Sequence, residues 1–359
     1  MQACSTLDRE FIGEGEVEGE AACGLGTAVQ RLNGQLLEVQ ALGEAGTCTY
    51  EQVDRKWLLL NKWVEEEASK KIVDDAIASE FESARLKALQ AKSAGAFLDR
   101  VPSSAGGTLL NGNEFRSRVG RRLGRELCDE GMCPACGNQM DRFGAHPEGC
   151  MCGGDVTRRH NGVNYLVYKQ CQSAGIRPEL EKSKLLSGAK SQRDLGRRRP
   201  ADTLINAGAD VKTGKKRNML QVALDVGVVN PQAPSHVSNA ARGTLKAADR
   251  YTETKRNHQS TDRLCEEVGV DYQPLVFESF GGLCEEGREC IRSINRLVAQ
   301  NTNTPKSEVA RRFWQKVSVE IKKANHRAFV KRTASKSFWM EDSASNRFFR
   351  RVDIDEREE

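Results

Sequence analysis

Between Leu220 and Val229 the chain alternates: Leu220, Val222, Leu224, Val226 and Val228 fall on one face, and Gln221, Ala223, Asp225 and Gly227 on the other. A period of two in so apolar a run predicts a buried strand. A shorter apolar run after Arg199-Pro200-Ala201-Asp202 predicts a second strand, and the Gly- and Lys-rich GADVKTGKKRN between them reads as a long hairpin loop. Pairing across that loop would bring Asp202 and Asp225 onto one face. A carboxylate in such a strand costs several kcal/mol, roughly, unless it is compensated. Two side by side raise each other's pKa unless a divalent cation holds them. The other reading open at this point is that Asp225 caps a bulge or pairs with a nearby arginine.

Elsewhere the period lengthens to that of helices. Trp57, Leu60, Trp63 and Val64 share one face; Ile77, Phe81, Leu86 and Leu89 share another. A helix with several exposed arginines is expected to begin at NEFRSRVGRRLGREL. Another should run from Asp155, as N-cap, to about Ala174, carrying Val156, His160, Val163, Val167 and Cys171 on one side. PELEKSKLL reads as a strand, Val237 to Val268 as one long helix, YQPLVFES as a strand, GGLCEEGRECIRSINRLVA as a helix, and Pro305 to about Lys336 as a basic helix. This order predicts an α/β fold with a mixed sheet and helices on both faces. Five regions follow: 1–49, acidic, Gly-rich and expected to be disordered; 50–127, helical; 128–154, rich in cysteine; 155–303, the sheet domain; 304–359, the basic helix and an acidic tail.

Charge sharpens this division. Net charge is +5 and mean hydropathy −0.59, but residues 1–85 hold 8 basic against 17 acidic residues, and the remainder 47 against 33. The basic excess points to a polyanion as partner of the C-terminal three quarters. No run approaches the length of a membrane span and the first residues lack the pattern of a secretory signal, so a soluble intracellular protein is expected.

Of twelve cysteines, five lie between Cys128 and Cys152, a clustering that favours metal over disulfides in such a chain. Cys133, Cys136, His146 and Cys150 supply four donors at knuckle-like spacing, and Cys-Pro-Ala-Cys-Gly is a turn that aims two thiolates at one ion. A structural Zn2+ is the expected occupant. Cys128, Cys152 and His160 are spare candidates.

Taken together, Cys-x2-Cys, DRFGAHPEGCMCGGD, RRHN, LEKSKLL, RRPADTLI, LDVGVVNP, YTETKRNH and PLVFESFGG, with the lead-in FLDRVPSSAGG and EFRSRVGRRLG, resemble a known arrangement. It is similar to the C-terminal region of site-specific, restriction-endonuclease-like non-LTR retrotransposon polyproteins. There a zinc knuckle precedes a PD-(D/E)XK nuclease domain, downstream of a reverse transcriptase. The resemblance covers about residues 90 to 335. It implies a restriction-endonuclease-like mixed sheet flanked by helices, after a knuckle and a helical lead-in. It also implies Asp202 for the family's PD aspartate, with Ala201 inserted, Asp225 for the third-strand acid, and Glu181 and Glu278 for an early and a late acidic position. Gly227 stands where the usual lysine would be; Lys255 is the match on the following helix.

The residues themselves agree with Lys255: Tyr251, Lys255, His258 and Asp262 recur at helical spacing. Asp202 and Asp225, with Glu181 as a third acid, are thus the expected Mg2+ ligands and catalytic carboxylates, Lys255 the group on the phosphoryl charge. Arg158, Arg159, Arg311, Arg312, Lys322 and Lys323 are expected on phosphates, without reading sequence. Any sequence preference would come from the knuckle and the arginine-rich helix before it. The expected activity is Mg2+-dependent nicking of DNA in the service of retrotransposition, with DNA, and secondarily RNA, as partner and the nucleus as location. Its rival is a catalytically silent nucleic-acid-binding remnant. No polymerase signature occurs in residues 1–85.

Overall fold

The computed structural model describes residues 79–189, 198–206 and 221–333. Every described residue belongs to one compact unit, Ala76–Glu359. The helix expected around Trp57 and Trp63, the disorder expected before residue 50, the hairpin loop GADVKTGKKRN and the acidic tail all lie outside the described residues.

The centre is a four-stranded mixed sheet in the order β3-β4-β5-β6, where β3 is Pro178–Leu180, β4 Thr203–Ile205, β5 Gln221–Val229 and β6 Val270–Glu278. β3 pairs antiparallel with β4 and β4 antiparallel with β5, while β5 and β6 run parallel over nine residue pairs, Gln221↔Val270 through Val229↔Glu278. The expected alternation sorts the two faces of β5. Val222, Leu224 and Val226 enter the larger core, whereas Ala223 faces a second one with Leu204, Leu264 and Tyr272.

Helices cover the sheet because their apolar stripes match it. We number them α1 (Glu80–Leu89), α2 (Gly112–Arg122), α3 (Ala145–Gly149), α4 (Asp155–Ser173), α5 (Val237–Ala240), α6 (Lys246–Asn257), α7 (Thr261–Glu267), α8 (Glu285–Thr302) and α9 (Lys306–Thr333). Val163, Val167 and Cys171 of α4, Ile291, Ile294 and Val298 of α8, and Val309, Phe313, Val317 and Ile321 of α9 fill the larger core. Asn111 and Glu114 close a reciprocal capping box that starts α2. Among the described residues no helix is long and apolar enough to cross a membrane.

Several expectations need correction. The single helix from Val237 to Val268 is three, α5, α6 and α7. Leu245 (φ 64°) separates the first two, and Gln259 and Ser260 (φ 48° and 56°) the last two. Left-handed backbone at non-glycine residues cannot continue a helix. PELEKSKLL forms a strand only over β3, since Glu181 (φ 50°) turns the chain away. Gly154, in the left-handed region, takes the N-cap position before α4. Asp155 falls in the first turn, where Lys331 and Arg332 of α9 hold its carboxylate, each at 2.9 Å.

The arginines of α2 are not exposed as expected. Arg118 and Arg121 are 1% and 2% exposed and close on Glu148 of α3, at 3.0 and 3.4 Å. Ser279 donates to the other oxygen of Glu148, and Arg159 donates to its carbonyl oxygen. Lys322 lies over the Phe97 and Phe280 rings and donates to the Ser279 and Phe280 carbonyls; burial brings its ammonium down to about 7. This buried network fastens the cysteine-rich segment to the end of the sheet.

Candidate active site and metal centre

The cysteine-rich segment is a two-strand ribbon followed by α3. β1 (Gly131–Met132) pairs antiparallel with β2 (Gln139–Met140), and Gly137 (φ 72°) supplies the left-handed turn residue between them. The Asp141 carboxylate accepts from the amides of Phe143, Ala145 and His146, so it both starts α3 and fixes His146. Ligand spacing alone did not expose that role; the signal was a short polar residue just ahead of a helical turn. The donor atoms of Cys133, Cys136, His146 and Cys150 lie within 4.8 Å of one another, an arrangement able to hold a metal ion. Cys136 Sγ is 3.3 Å from His146 Nε2. Burial pushes the Cys133 thiol up, but the Ala135 and Cys136 amides, with the His146 and Cys136 side chains, outweigh it and bring it down to about 6. The spare candidates stay out. The Cys128 thiol faces the Asp141 and Arg142 carbonyls, Cys152 is exposed, and His160 belongs to the second site.

That second site gathers side chains from α4, β5, α6, β6 and the residue just ahead of β4. The β4–β5 ladder ends at Thr203↔Leu224. One residue earlier, the Asp202 amide donates to the Leu224 carbonyl (3.0 Å), and its carboxylate accepts from the Val226 amide (2.7 Å). Asp202 therefore brackets Asp225 from the neighbouring strand. His160 of α4 places Nε2 2.9 Å from Asp202 Oδ2, and Asn164, one turn on, contacts the Asp202 carbonyl and accepts from the Thr203 hydroxyl. On Asp225, Lys255 Nζ of α6 lies 2.6 Å from Oδ1, and the Tyr272 hydroxyl of β6 donates to Oδ2.

Electrostatics separates the two acids. Burial pushes Asp202 up, but the bond and charge of His160, the Val226 amide and the Lys255 charge prevail, so its pKa is lowered. Burial also pushes Asp225 up; the nearby Asp202 charge adds to this and Lys255 and Tyr272 only partly offset it, so its pKa is raised. The bond to Asp202 holds the His160 imidazole up at about 9 despite burial. Asp225 is thus the member of the pair that most needs positive charge.

The cleft over Asp225 has a volume of about 340 Å³ and is lined by Arg198, Arg199, Tyr251, Lys255, His258 and Tyr272, among others. At its rim Arg198 donates to the Gln259 carbonyl and the Thr261 hydroxyl, bracing the left-handed turn. Gly227 explains how Lys255 reaches in. A Cβ there would stand 2.9 Å from Lys255 Cε and 3.2 Å from a Tyr251 ring carbon, so the absent side chain is the channel through which the lysine passes.

Asp202, Asp225 and Lys255 are brought together; two further acids are not. Glu181 is half exposed, and its carboxylate faces Arg199 at 3.8 Å. Glu278 is wholly buried, opposite Val229, four residues along from the position facing Asp225, or about 13 Å at the rise of a strand. Burial pushes it up to about 7, tempered by the Ala248 amide in the first turn of α6. Sequence reading missed His160 and Tyr272 as partners of the acids. Only the helical phase of His160 relative to Asn164 hinted that one face of α4 meets a strand end.

The expected phosphate contacts are partly overturned. Arg159 is 3% exposed and donates to Glu148, Asn325 and Val228 of the protein itself, and Lys322 is enclosed as described, so neither can meet a phosphate. Arg311 and Arg312 are exposed but share Glu308. Arg158 is exposed and Lys323 half-buried. No family model matches the chain, and no curated protein does.

Proposed function

We propose that this unit is a divalent-cation-dependent DNA endonuclease of the PD-(D/E)XK kind that nicks one strand, stiffened by a structural zinc site, and that it derives from a retrotransposon. The carrying observation is the convergence of Asp202, Asp225 and Lys255 beneath a cleft rimmed by Arg198 and Arg199. Asp202 and Asp225 would hold Mg2+ through hard oxygen donors. The bound cation would lower the pKa of a water and neutralise charge on the phosphoryl group. Lys255, 2.6 Å from Asp225 Oδ1, would stabilise charge that develops on a non-bridging oxygen. Hydrolysis forms a bond from the water oxygen to phosphorus as the phosphorus–oxygen bond to the leaving strand breaks; a carboxylate oxygen of Asp225 can take the water proton, and the leaving oxygen takes a proton from solvent water. Arg198 and Arg199 would hold the flanking phosphates.

Zinc at the four-donor cluster fits its soft thiolates and imidazole. A tetrahedral ion with bonds of about 2.3 Å to sulfur and 2.0–2.1 Å to nitrogen sets these donors roughly 3.5 Å apart, close to the Cys136–His146 separation. With four protein ligands no position remains for substrate, so the role is structural.

The rival reading, a silent nucleic-acid binder, draws on one fact: both acids already have protein partners in His160, Lys255 and Tyr272. The test is nicking of supercoiled plasmid with Mg2+ by the full chain, beside Asp202→Asn and Asp225→Asn. Wild-type cutting lost in both variants is expected; equal conversion by all three proteins ends the enzyme reading and leaves the binder.

A further inference from the structure

A groove with no part in the carboxylate site runs between α8 and α9. Arg288, Arg292 and Arg296 recur every fourth residue on α8, and Lys306, Ala310 and Trp314 do the same on α9; together they line a volume of about 440 Å³, with Glu289 and Asn295 as further polar residues. Beyond Arg288 and Trp314 it continues into a second hollow lined by Lys92, Asp99 and Arg311. We propose that this groove binds a single strand of nucleic acid, phosphates along the arginines and a base against Trp314.

Three features carry the assignment. Fourth-residue spacing sets Arg292 and Arg296 about 6 Å apart along the helix, and with Lys306 in the same groove they suit successive phosphates of one strand. The acids at hand, Glu285 and Glu289, are partners of Arg288 and Arg292 within the same helix, and Glu308 is that of Arg311. The Arg292 and Arg311 pairs are solvent-exposed and screened, so they exchange readily for a phosphate, whereas Arg288 is 9% exposed and stays against Trp314. The floor is aromatic: Trp314 is half-buried, with the Arg288 guanidinium 5.9 Å from its ring centre, and Ala310 leaves the space beside it open. A furrow between two helices packed about 8–10 Å apart admits one strand and not a duplex. The proposal does not depend on the nuclease reading.

The experiment follows tryptophan fluorescence of the full chain during titration with a single-stranded oligothymidylate, using Asp225→Asn throughout so that cutting plays no part. Quenching that weakens with salt, whose amplitude drops in Trp314→Phe although Trp57, Trp63 and Trp339 remain, and that falls at least tenfold in affinity in Arg292→Glu with Arg296→Glu is expected. Arg292→Lys should keep it, which separates a charge effect from misfolding. Equal binding of a blunt duplex, equal quenching by polyglutamate, or a quenching amplitude and affinity unchanged in Trp314→Phe each overturns the proposal. Since the titration uses a chain without Asp225, the nuclease reading and this one can fail separately.

Discussion

The metal cluster and the carboxylate cleft are assembled by opposite routes. All four donors of the cluster come from residues 133–150, and one local carboxylate, Asp141, organises the turn that carries His146. The cleft draws on residues as distant as His160, Asp202, Asp225, Lys255 and Tyr272, and none stands without the others' elements. A local site of this kind is specified by spacing and would be stabilised by an ion; a distributed one is specified by strand pairing and stabilised by the core beneath it. The cluster should therefore depend on metal, and the cleft on packing.

The largest expected effect tests the first half. In small zinc modules the ion supplies about 10–16 kcal/mol of folding free energy, so chelation or Cys133→Ser should unfold the ribbon. Glu148 lies between His146 and Cys150 and is clamped by Arg118, Arg121 and Ser279, so the loss should spread into the main unit. Calorimetry should show one transition, lowered by roughly 10 °C or more, since each kcal/mol shifts a domain of this size by about 2–4 °C. A separate small transition that vanishes while the main one stays put would mean the cluster is autonomous.

A second prediction asks which acids belong to the cleft. Glu278 is buried at the far end of β6, with its pKa raised from 4.5 to about 7. The folded state then binds one more proton than the unfolded chain between those values. The acid's contribution to stability is fully present below pH 4.5 and is lost as pH rises to 7, by about 3 kcal/mol. Glu278→Gln should thus be the more stable protein at pH 8, and its stability should change less between pH 5 and 7 in urea titrations. Identical pH profiles would make Glu278 an ordinary charged, solvated acid.

How much of each site could be read in the sequence follows from the same contrast. The grouping of the four cluster donors was legible because their geometry is set within a few turns of chain. The β5 strand was legible because alternation survives in Val222, Leu224 and Val226, whereas the helix break at Gln259 and Ser260 was not, since neither residue type signals left-handed backbone. Lysine and arginine misled most. Lys322, Arg159, Arg118 and Arg121 look like a polyanion surface, yet Glu148 and the Phe97, Phe280 and Phe329 rings enclose them. A basic residue on a helix reveals its partner only when the opposing element is known.

A smaller effect concerns how Asp202 is held. His160→Ala leaves a mostly buried carboxylate with one hydrogen bond fewer, a cost of about 1–3 kcal/mol. A double-mutant cycle of His160→Ala with Asp202→Asn, read by urea unfolding at pH 7, should return a coupling energy of about 1–2 kcal/mol. Strict additivity would mean that α4 positions Asp202 only through Asn164 and the backbone.

The smallest expected change in stability is the most telling about the cleft. In Gly227→Ala the new methyl meets Lys255 Cε at 2.9 Å and a Tyr251 ring carbon at 3.2 Å. The lysine end is flexible, so the protein gives way there rather than in the strand, and the cost in folding should stay near 1 kcal/mol. What moves is the ammonium now 2.6 Å from Asp225 Oδ1. Small displacements of an aligned group can cost up to about 100-fold in rate, so nicking should fall by roughly tenfold or more while the unfolding midpoint drops by only about 2–4 °C. Lys255→Ala in the same background should then add little, because the path and the group that uses it act as one unit. If Gly227→Ala cuts as well as the parent while Lys255→Ala does not, the lysine reaches its work by a different route. If neither variant loses activity, Lys255 serves Asp225 as a counter-ion alone, and the distributed site is held by packing without a catalytic ammonium.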